Sequence, residues 1–318
     1  MKPIEVTRYS PDMREEWDDF VCREAVNSTF LHQRAYMDYH ADRFTDCSLI
    51  ARYADGGRML AVLPANIEDD GTVCSHRGLT YGGLLVGRHS MPTSQVMAVM
   101  EAMADKFRSL GAGRLIYKPV PSIYSQYPAE DDVYALWRMG AHLHSCQPSS
   151  AMPLDRRPLT NYNERRALRL ALASGMTVAE EADLHPFWEL LEQVLEKRHG
   201  ARPVHTVGEM ELLRGRFPDS IRLYTARLDG RLLGGMVMYY AGSVAHSQYT
   251  AISSEGFRLR ALEAIVEYII KNDCGSCRWW DFGTSCEDSG RILNEALNAK
   301  KYDMGCRPVL YTTYTLSL

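Results

Sequence analysis

The sequence predicts a mixed α/β (α+β) protein of two tandem halves, each a mixed, mostly antiparallel sheet flanked by helices. A long-period repeat of element order and a shared turn dipeptide carry that prediction. In the first half Phe44-Thr-Asp precedes a two-strand pattern from Leu49 to Ile67. Val73-Cys-Ser-His76, a helical pattern from Ser94 to Leu110 and a strand-like Arg114-Leu-Ile-Tyr-Lys118 follow. The second half repeats the order: Phe217-Pro-Asp, a hairpin from Ile221 to Tyr240, Val244-Ala-His246, a helix from Leu259 to Lys271, and Arg278-Trp-Trp-Asp-Phe282. Both hairpins are expected to turn at Asp-Gly, at Asp55-Gly56 and Asp229-Gly230, because a type I′ turn needs positive φ at both central residues. The patterns break from Pro153 to Leu159, which places the boundary there, with 1–155 as one half and 156–318 as the other.

Composition narrows the class. With 318 residues, 46% of them hydrophobic and 24% charged, the chain has enough apolar material for one large or two ordinary domains. The longest weakly polar stretch, Leu232 to Ala245, falls short of the ~20 apolar residues of a spanning helix. Met1 to Val6 carries neither a basic nor an apolar signal region, so the expected address is the cytoplasm. Eight scattered cysteines suit reduced thiols better than a disulfide framework. A net charge of −4 argues against a general polyanion binder. A local basic patch stays open. Arg165, Arg166 and Arg169 fall on one side of a helix starting at Asn161, either as a solvated face or, with Arg156 and Arg157, as a site for phosphate or carboxylate on an acceptor.

Several phrases carry a family resemblance over nearly the whole chain. They are Ser75-His-Arg-Gly-Leu-Thr-Tyr-Gly-Gly83, the Arg165-Arg-Ala-Leu-Arg-Leu-Ala helix followed by Gly175-Met-Thr-Val178, Pro203-Val-His-Thr206, and Asp281-Phe-Gly-Thr-Ser285 followed by Leu293-Asn-Glu-Ala-Leu297. With the element order, they resemble two tandem GNAT-like halves of the Fem type: peptidoglycan aminoacyltransferases and their acyl-CoA-using relatives. The phrases are similar to those of GNAT-type proteins of surface-polysaccharide and cell-envelope synthesis. The resemblance implies an N-acyltransferase that takes acetyl-CoA or another acyl-CoA as co-substrate, with a small amine or amino sugar as acceptor. It places the donor site in the second half and the acceptor side in the first.

The family's pyrophosphate loop approximates (Gln/Arg)-x-x-Gly-x-(Gly/Ala), whereas the equivalent turn here, Ser253-Ser-Glu-Gly-Phe-Arg-Leu-Arg-Ala261, has one glycine. Such a loop works because unpaired amides at a helix amino terminus point at an anion. Ser253, Ser254, Gly256, Phe257, Arg258 and Arg260 are therefore the candidate donor contacts, with Gly256 allowing close backbone approach and Glu255 opposing it. Arg260 has a second reading, as one of a self-pairing set with Glu263, Glu267 and Lys271.

Acyl transfer from a thioester to an amine needs a base, donors for the oxyanion and a proton for the thiolate. The resemblance puts these on the strand Val244–Ile252 and the strand Arg278–Gly283, which part to admit the thioester arm. His246 is the candidate base, since its unperturbed pKa lies near neutrality; a satisfied core histidine is the other reading. Asp281 is an acid in an aromatic strand, where burial requires a partner or a task. Tyr249 and Tyr302 are candidate proton donors to the thiolate. Strict alternation places His246 and Tyr249 on opposite faces unless a bulge intervenes.

In the first half His76, Arg77, Tyr81 and a flexible Gly82-Gly83 are candidate acceptor contacts, joined from the second half by His205; a strand-end turn is the other reading of the glycine pair. Cys274-Gly-Ser-Cys277 and His142-Leu-His144 lack companions at metal-site spacing, so no metal is expected, and the Cys274–Cys277 pair, in a connection before a strand, lacks the helix start of a thioredoxin-type redox site. Two other functions stay open: an aminoacyl-tRNA-dependent transferase whose Arg156–Arg169 patch meets RNA, and a non-catalytic carbohydrate-binding module of the same fold.

Overall fold

The computed structural model describes residues 2–89, 91–158 and 160–318; Leu159, at the end of the expected boundary, lies outside them. The chain forms two compact units. One comprises Met1–Pro148, Cys286–Ile292 and Val309–Leu318, and the other Ser149–Ser285 and Leu293–Pro308. The units are therefore not two consecutive halves, because two late segments return to the first.

In the first unit β1 (Ile4–Arg8), β2 (Leu49–Tyr53), β3 (Met59–Leu63) and β4 (Leu85–Val86) form one sheet. A second set pairs β5 (Arg114–Tyr117) parallel with Thr72–Cys74 and antiparallel with Tyr314–Ser317. Helix α1 (Thr93–Ser109) buries Val96, Val99, Met100, Met103 and Phe107, a spacing that turns one stripe toward the core, and α2 (Asp131–Arg138) contributes Ala135 and Leu136. The first hairpin differs from expectation. Residues 54–58 join β2 to β3, and of the Asp55-Gly56 pair only Gly56 has positive φ, +72°. A connection of that length does not force the tight turn.

The second unit carries β6 (His142–Pro153, from Ser149 onward), α3 (Tyr162–Ala173), β7 (Thr177–Glu181), α4 (His185–His199), α5 (Val207–Arg216), β8 (Ile221–Leu228), β9 (Arg231–Ala241) and β10 (Val244–Ile252). Then come α6 (Ser254–Leu259), α7 (Ala261–Asn272), β11 (Trp279–Thr284) and α8 (Glu295–Asp303). Its strands run in the order β7-β8-β9-β10-β11-β6, antiparallel apart from the parallel pair β10–β11. Asp229 (φ +49°) and Gly230 (φ +79°) make the two-residue turn between β8 and β9, as a type I′ hairpin requires. Beneath one sheet face, Met236, Met238, Ala245 and Trp280 pack with Ile265 and Ile269 of α7. On the other, Phe187 of α4 lies so near Gly235 that a Cβ there would fall 2.6 Å from its ring.

Candidate active site

The parallel register of β10 and β11 covers three pairs and ends at His246↔Asp281. Just beyond, β10 holds a bulge: Val237 of β9 faces Tyr249, but Met238 faces Ser247, leaving Gln248 without a place in the ladder. The extra residue resets the alternation. His246 pairs with Tyr239 and Tyr249 with Val237, two residues apart on β9, so His246 and Tyr249 project from the same face, toward α4 and α5. Strict alternation therefore fails here, and the bulge is the reason.

Asp281 is fully buried, and its Oδ2 lies 3.0 Å from His246 Nδ1. Its Oδ1 accepts from the Ser149 hydroxyl at 2.6 Å and the Gly283 amide at 3.0 Å. The cost of burying a carboxylate is thus offset by donors on both oxygens. With Asp281 ionised, Nδ1 carries the imidazole proton and Nε2 keeps its lone pair. Nε2 makes no hydrogen bond among the described residues, and the side chain is 14% exposed. Gly283 sits against the ring at φ +73°; a Cβ there would lie 3.5 Å from His246 Cε1. Lys301 of α8 fixes this bend, donating to the carbonyls of Phe282, Gly283 and Thr284 at 3.2, 3.1 and 3.1 Å.

On the same face the Tyr249 hydroxyl accepts from the His205 amide at 3.3 Å and lies 2.7 Å from His205 Nδ1. Burial raises the phenol's pKa, with the His205 amide pulling the other way. Trp188 of α4 packs its edge on the Tyr249 ring at 5.3 Å. His205 is buried. Tyr302, by contrast, is exposed, with the Arg307 guanidinium 4.0 Å over its ring.

Ser253 caps α6, its hydroxyl accepting from the Gly256 amide at 3.0 Å, which leaves the amides of Ser254 and Glu255 unpartnered among the described residues. Gly256 differs from expectation. A Cβ there would fall 2.1 Å from the Leu233 carbonyl oxygen, so the missing side chain serves packing of α6 on β9. The chain breaks at Arg260 (φ +65°), where α6 ends and α7 begins. The self-paired reading of Arg260 does not hold: Glu263 pairs with Lys300 at 2.8 Å and Glu267 with Arg157 at 3.2 Å. Arg258 and Arg260 are exposed, Phe257 is 42% exposed, and Glu255 is taken up by Arg231 at 3.2 Å. Arg165, Arg166 and Arg169 are exposed on α3.

In the first unit His76 is buried at φ +55°, its ring stacked on His40 at 5.3 Å, and Arg77 is bidentate to Glu68. Tyr81 is buried against Tyr124 and Tyr311. The Gly82-Gly83 pair is not a flexible hinge. Both amides bond the Lys118 carbonyl, and a Cβ on Gly82 would lie 2.2 Å from Ser75 O. These glycines let two segments cross. His142 and His144 are exposed, and no group of three or more His, Cys, Asp or Glu that suits a metal occurs among the described residues. No described helix is long and apolar enough to cross a membrane.

Sequence reasoning missed Ser149, Trp188, Gly283 and Lys301. Gly283 follows Trp-Trp-Asp-Phe and had a readable signal, since a glycine within a strand marks a bulge or close approach. The other three are placed by tertiary packing.

Residues 159–289 match the family model described as an acetyltransferase (GNAT) domain. No curated protein matches the sequence. Among solved structures, FemX superposes with a TM-score of 0.71 at 15% identity, over 99% of this chain and 97% of that one. A tandem GNAT protein from the clavulanic acid biosynthesis pathway gives 0.54 at 16% identity, over 99% and 98%. L-PGS from Bacillus licheniformis gives 0.56 at 12% identity, over 97% and 91%. At these identities the likeness concerns the fold. A GNAT acetyltransferase model on residues 159–289, with whole-chain likeness to FemX and to a tandem GNAT protein, makes this a chain of the tandem GNAT, Fem-type fold.

Proposed function

We propose that the chain is an N-acyltransferase that moves an acyl group, acetyl in the simplest case, from acyl-CoA to a small amine, with an amino sugar of envelope polysaccharide synthesis as the working acceptor. The observation that carries the reading is the end of the β10–β11 pairing at a buried Asp281 that orients His246 while Nε2 stays unpartnered. His246 Nε2 takes the proton as the amine nitrogen bonds to the thioester carbon. The Gln248 amide, left out of the ladder, donates to the oxyanion. The C–S bond then breaks, and the thiolate takes its proton from the Tyr249 hydroxyl. Ser254 and Glu255 amides with Arg258 and Arg260 receive the donor's phosphates. The buried His205 acts on the acceptor through Tyr249.

Thermal unfolding with acetyl-CoA, longer acyl-CoAs and free CoA tests this. A ligand at about 100 times its Kd adds about 2.7 kcal/mol of stability. An upward shift with CoA species is the expected result; none with any of them sinks the reading. The exposed Arg165, Arg166 and Arg169 support a second reading, an aminoacyl-tRNA donor, which stabilisation by charged tRNA alone would favour.

A further inference from the structure

Every cysteine of the chain is a free thiol, and two of them meet at the corner between α7 and β11. Cys274 and Cys277 end a four-residue turn closed by the Cys277 amide on the Cys274 carbonyl at 2.9 Å. Such a turn holds its end Cα atoms under about 7 Å, and a disulfide spans Cα separations of about 4.4–6.8 Å. Cys274 is buried beneath α7, whereas Cys277 is partly open to solvent. Gly275 between them has open space around its α-carbon, so the turn has room to tighten.

From this turn and this difference in burial we propose that Cys274 and Cys277 are a reversible dithiol–disulfide site, with Cys277 the attacking thiol, Cys274 the resolving one, and a low-molecular-weight disulfide the oxidant. The electrostatics agree with that order: the neighbouring Cys274 thiol lowers the Cys277 pKa, and Cys277, with burial, raises that of Cys274. The Cys277 thiolate attacks one sulfur of oxidised glutathione; that S–S bond breaks and one glutathione leaves as the thiolate, which takes a proton. Cys274 then loses its proton to solvent and attacks Cys277 Sγ, expelling the second glutathione. Two protein thiols become one disulfide, and one glutathione disulfide becomes two thiols. The bond would tie the end of α7 to the start of β11, whose first residues are anchored by the Arg278 and Trp279 amides on the Ser243 carbonyl at 2.8 and 3.1 Å. It would close four residues before Asp281, so redox state would act at the base of that strand.

The test is incubation of the native protein with oxidised glutathione, quenching with a thiol alkylator, and peptide mass spectrometry. The expected product is an intramolecular disulfide between Cys274 and Cys277, two hydrogens lighter than the dithiol and reversed by reduced glutathione. Cys274→Ser should stop at one glutathione on Cys277; Cys277→Ser should leave Cys274 unmodified. A 274–277 peptide that stays reduced while the exposed Cys22 becomes glutathionylated would overturn the proposal. So would a lasting glutathione adduct on Cys277 in the native chain, since Cys274 would then not resolve it. The two variants differ in burial, so misfolding of Cys274→Ser leaves Cys277→Ser and the native chain as independent readouts.

Discussion

Asp281 Oδ2 stands 3.0 Å from His246 Nδ1, while its Oδ1 is held by Ser149 and Gly283. Asp281→Asn exploits this division. The amide oxygen can keep both Oδ1 contacts, but the NH2 group replaces the acceptor facing His246. Nδ1 must then accept, which moves the imidazole proton to Nε2 and removes the base. We expect acyl transfer to fall by about 10³–10⁴-fold with little change in the unfolding midpoint. Loss of activity together with loss of folded protein would show that Asp281 serves structure alone.

Tyr249 and His205 form the second pair. Tyr249→Phe removes the proton donor and leaves the His205 amide and Nδ1 without their partner, a stability loss of about 1–3 kcal/mol. His205→Asn offers an acceptor where Nδ1 stood, and His205→Leu does not. The expected order of activity is wild type, His205→Asn, His205→Leu, Tyr249→Phe. Because burial raises the phenol's pKa, the rate should show no tyrosine limb below pH 10, its unshifted value. A Tyr249→Phe enzyme with wild-type kcat would remove the phenol from the mechanism.

The duplicated element order was legible because it rests on period and turn residues: Asp229-Gly230 adopts the two positive φ values that the dipeptide announces. Asp55-Gly56 carries the same letters in a longer connection, where loop length decides. Asp281 was legible as a buried acid among aromatics. The Gln248 bulge was not, because nothing in Ser-Gln-Tyr distinguishes a bulged residue from a paired one. Lys301 was equally hidden: a lysine that bonds three carbonyls reads in sequence like any helix lysine. Gly256 illustrates a third case, in which the residue type was informative but its partner, the Leu233 carbonyl, lies on another strand.

That contact gives a steric prediction. Gly256→Ala puts a Cβ where the Leu233 carbonyl oxygen would be 2.1 Å away, and a backbone atom of a paired strand cannot swing aside. The helix α6 must lift from β9. We expect destabilisation of about 1–3 kcal/mol and, under the proposed function, weaker acyl-CoA binding, because Ser254, Glu255 and Arg258 move with the helix. Calorimetric titration with acetyl-CoA checks the second part; unchanged affinity in a destabilised variant would separate the loop from the donor.

The first unit should be acid-labile, and the sign follows from its buried histidines. Burial holds His32 down to about 4 and His76 to about 3, and lowers His40 as well, from an ordinary value of 6.5. His40, Lys118, Arg34 and His32 all disfavour a charge on His76. A depressed histidine binds its proton first in the unfolded chain, so stability is lost as pH falls from about 6.5 through about 4 toward 3, at roughly 1.4 kcal/mol per unit of pKa difference. Asp132 works against this. Burial raises it from 3.8 to about 6, so it takes up its proton in the folded state first and adds stability as pH falls through that interval. The histidine shifts outweigh that single carboxyl, leaving a net loss of a few kcal/mol between pH 6 and 4. Urea unfolding of the full chain at both pH values, followed by a probe in the first unit, checks the slope. His76→Asn is the control, since asparagine tolerates the positive φ of +55° but does not titrate; an unchanged slope in that variant would exonerate His76.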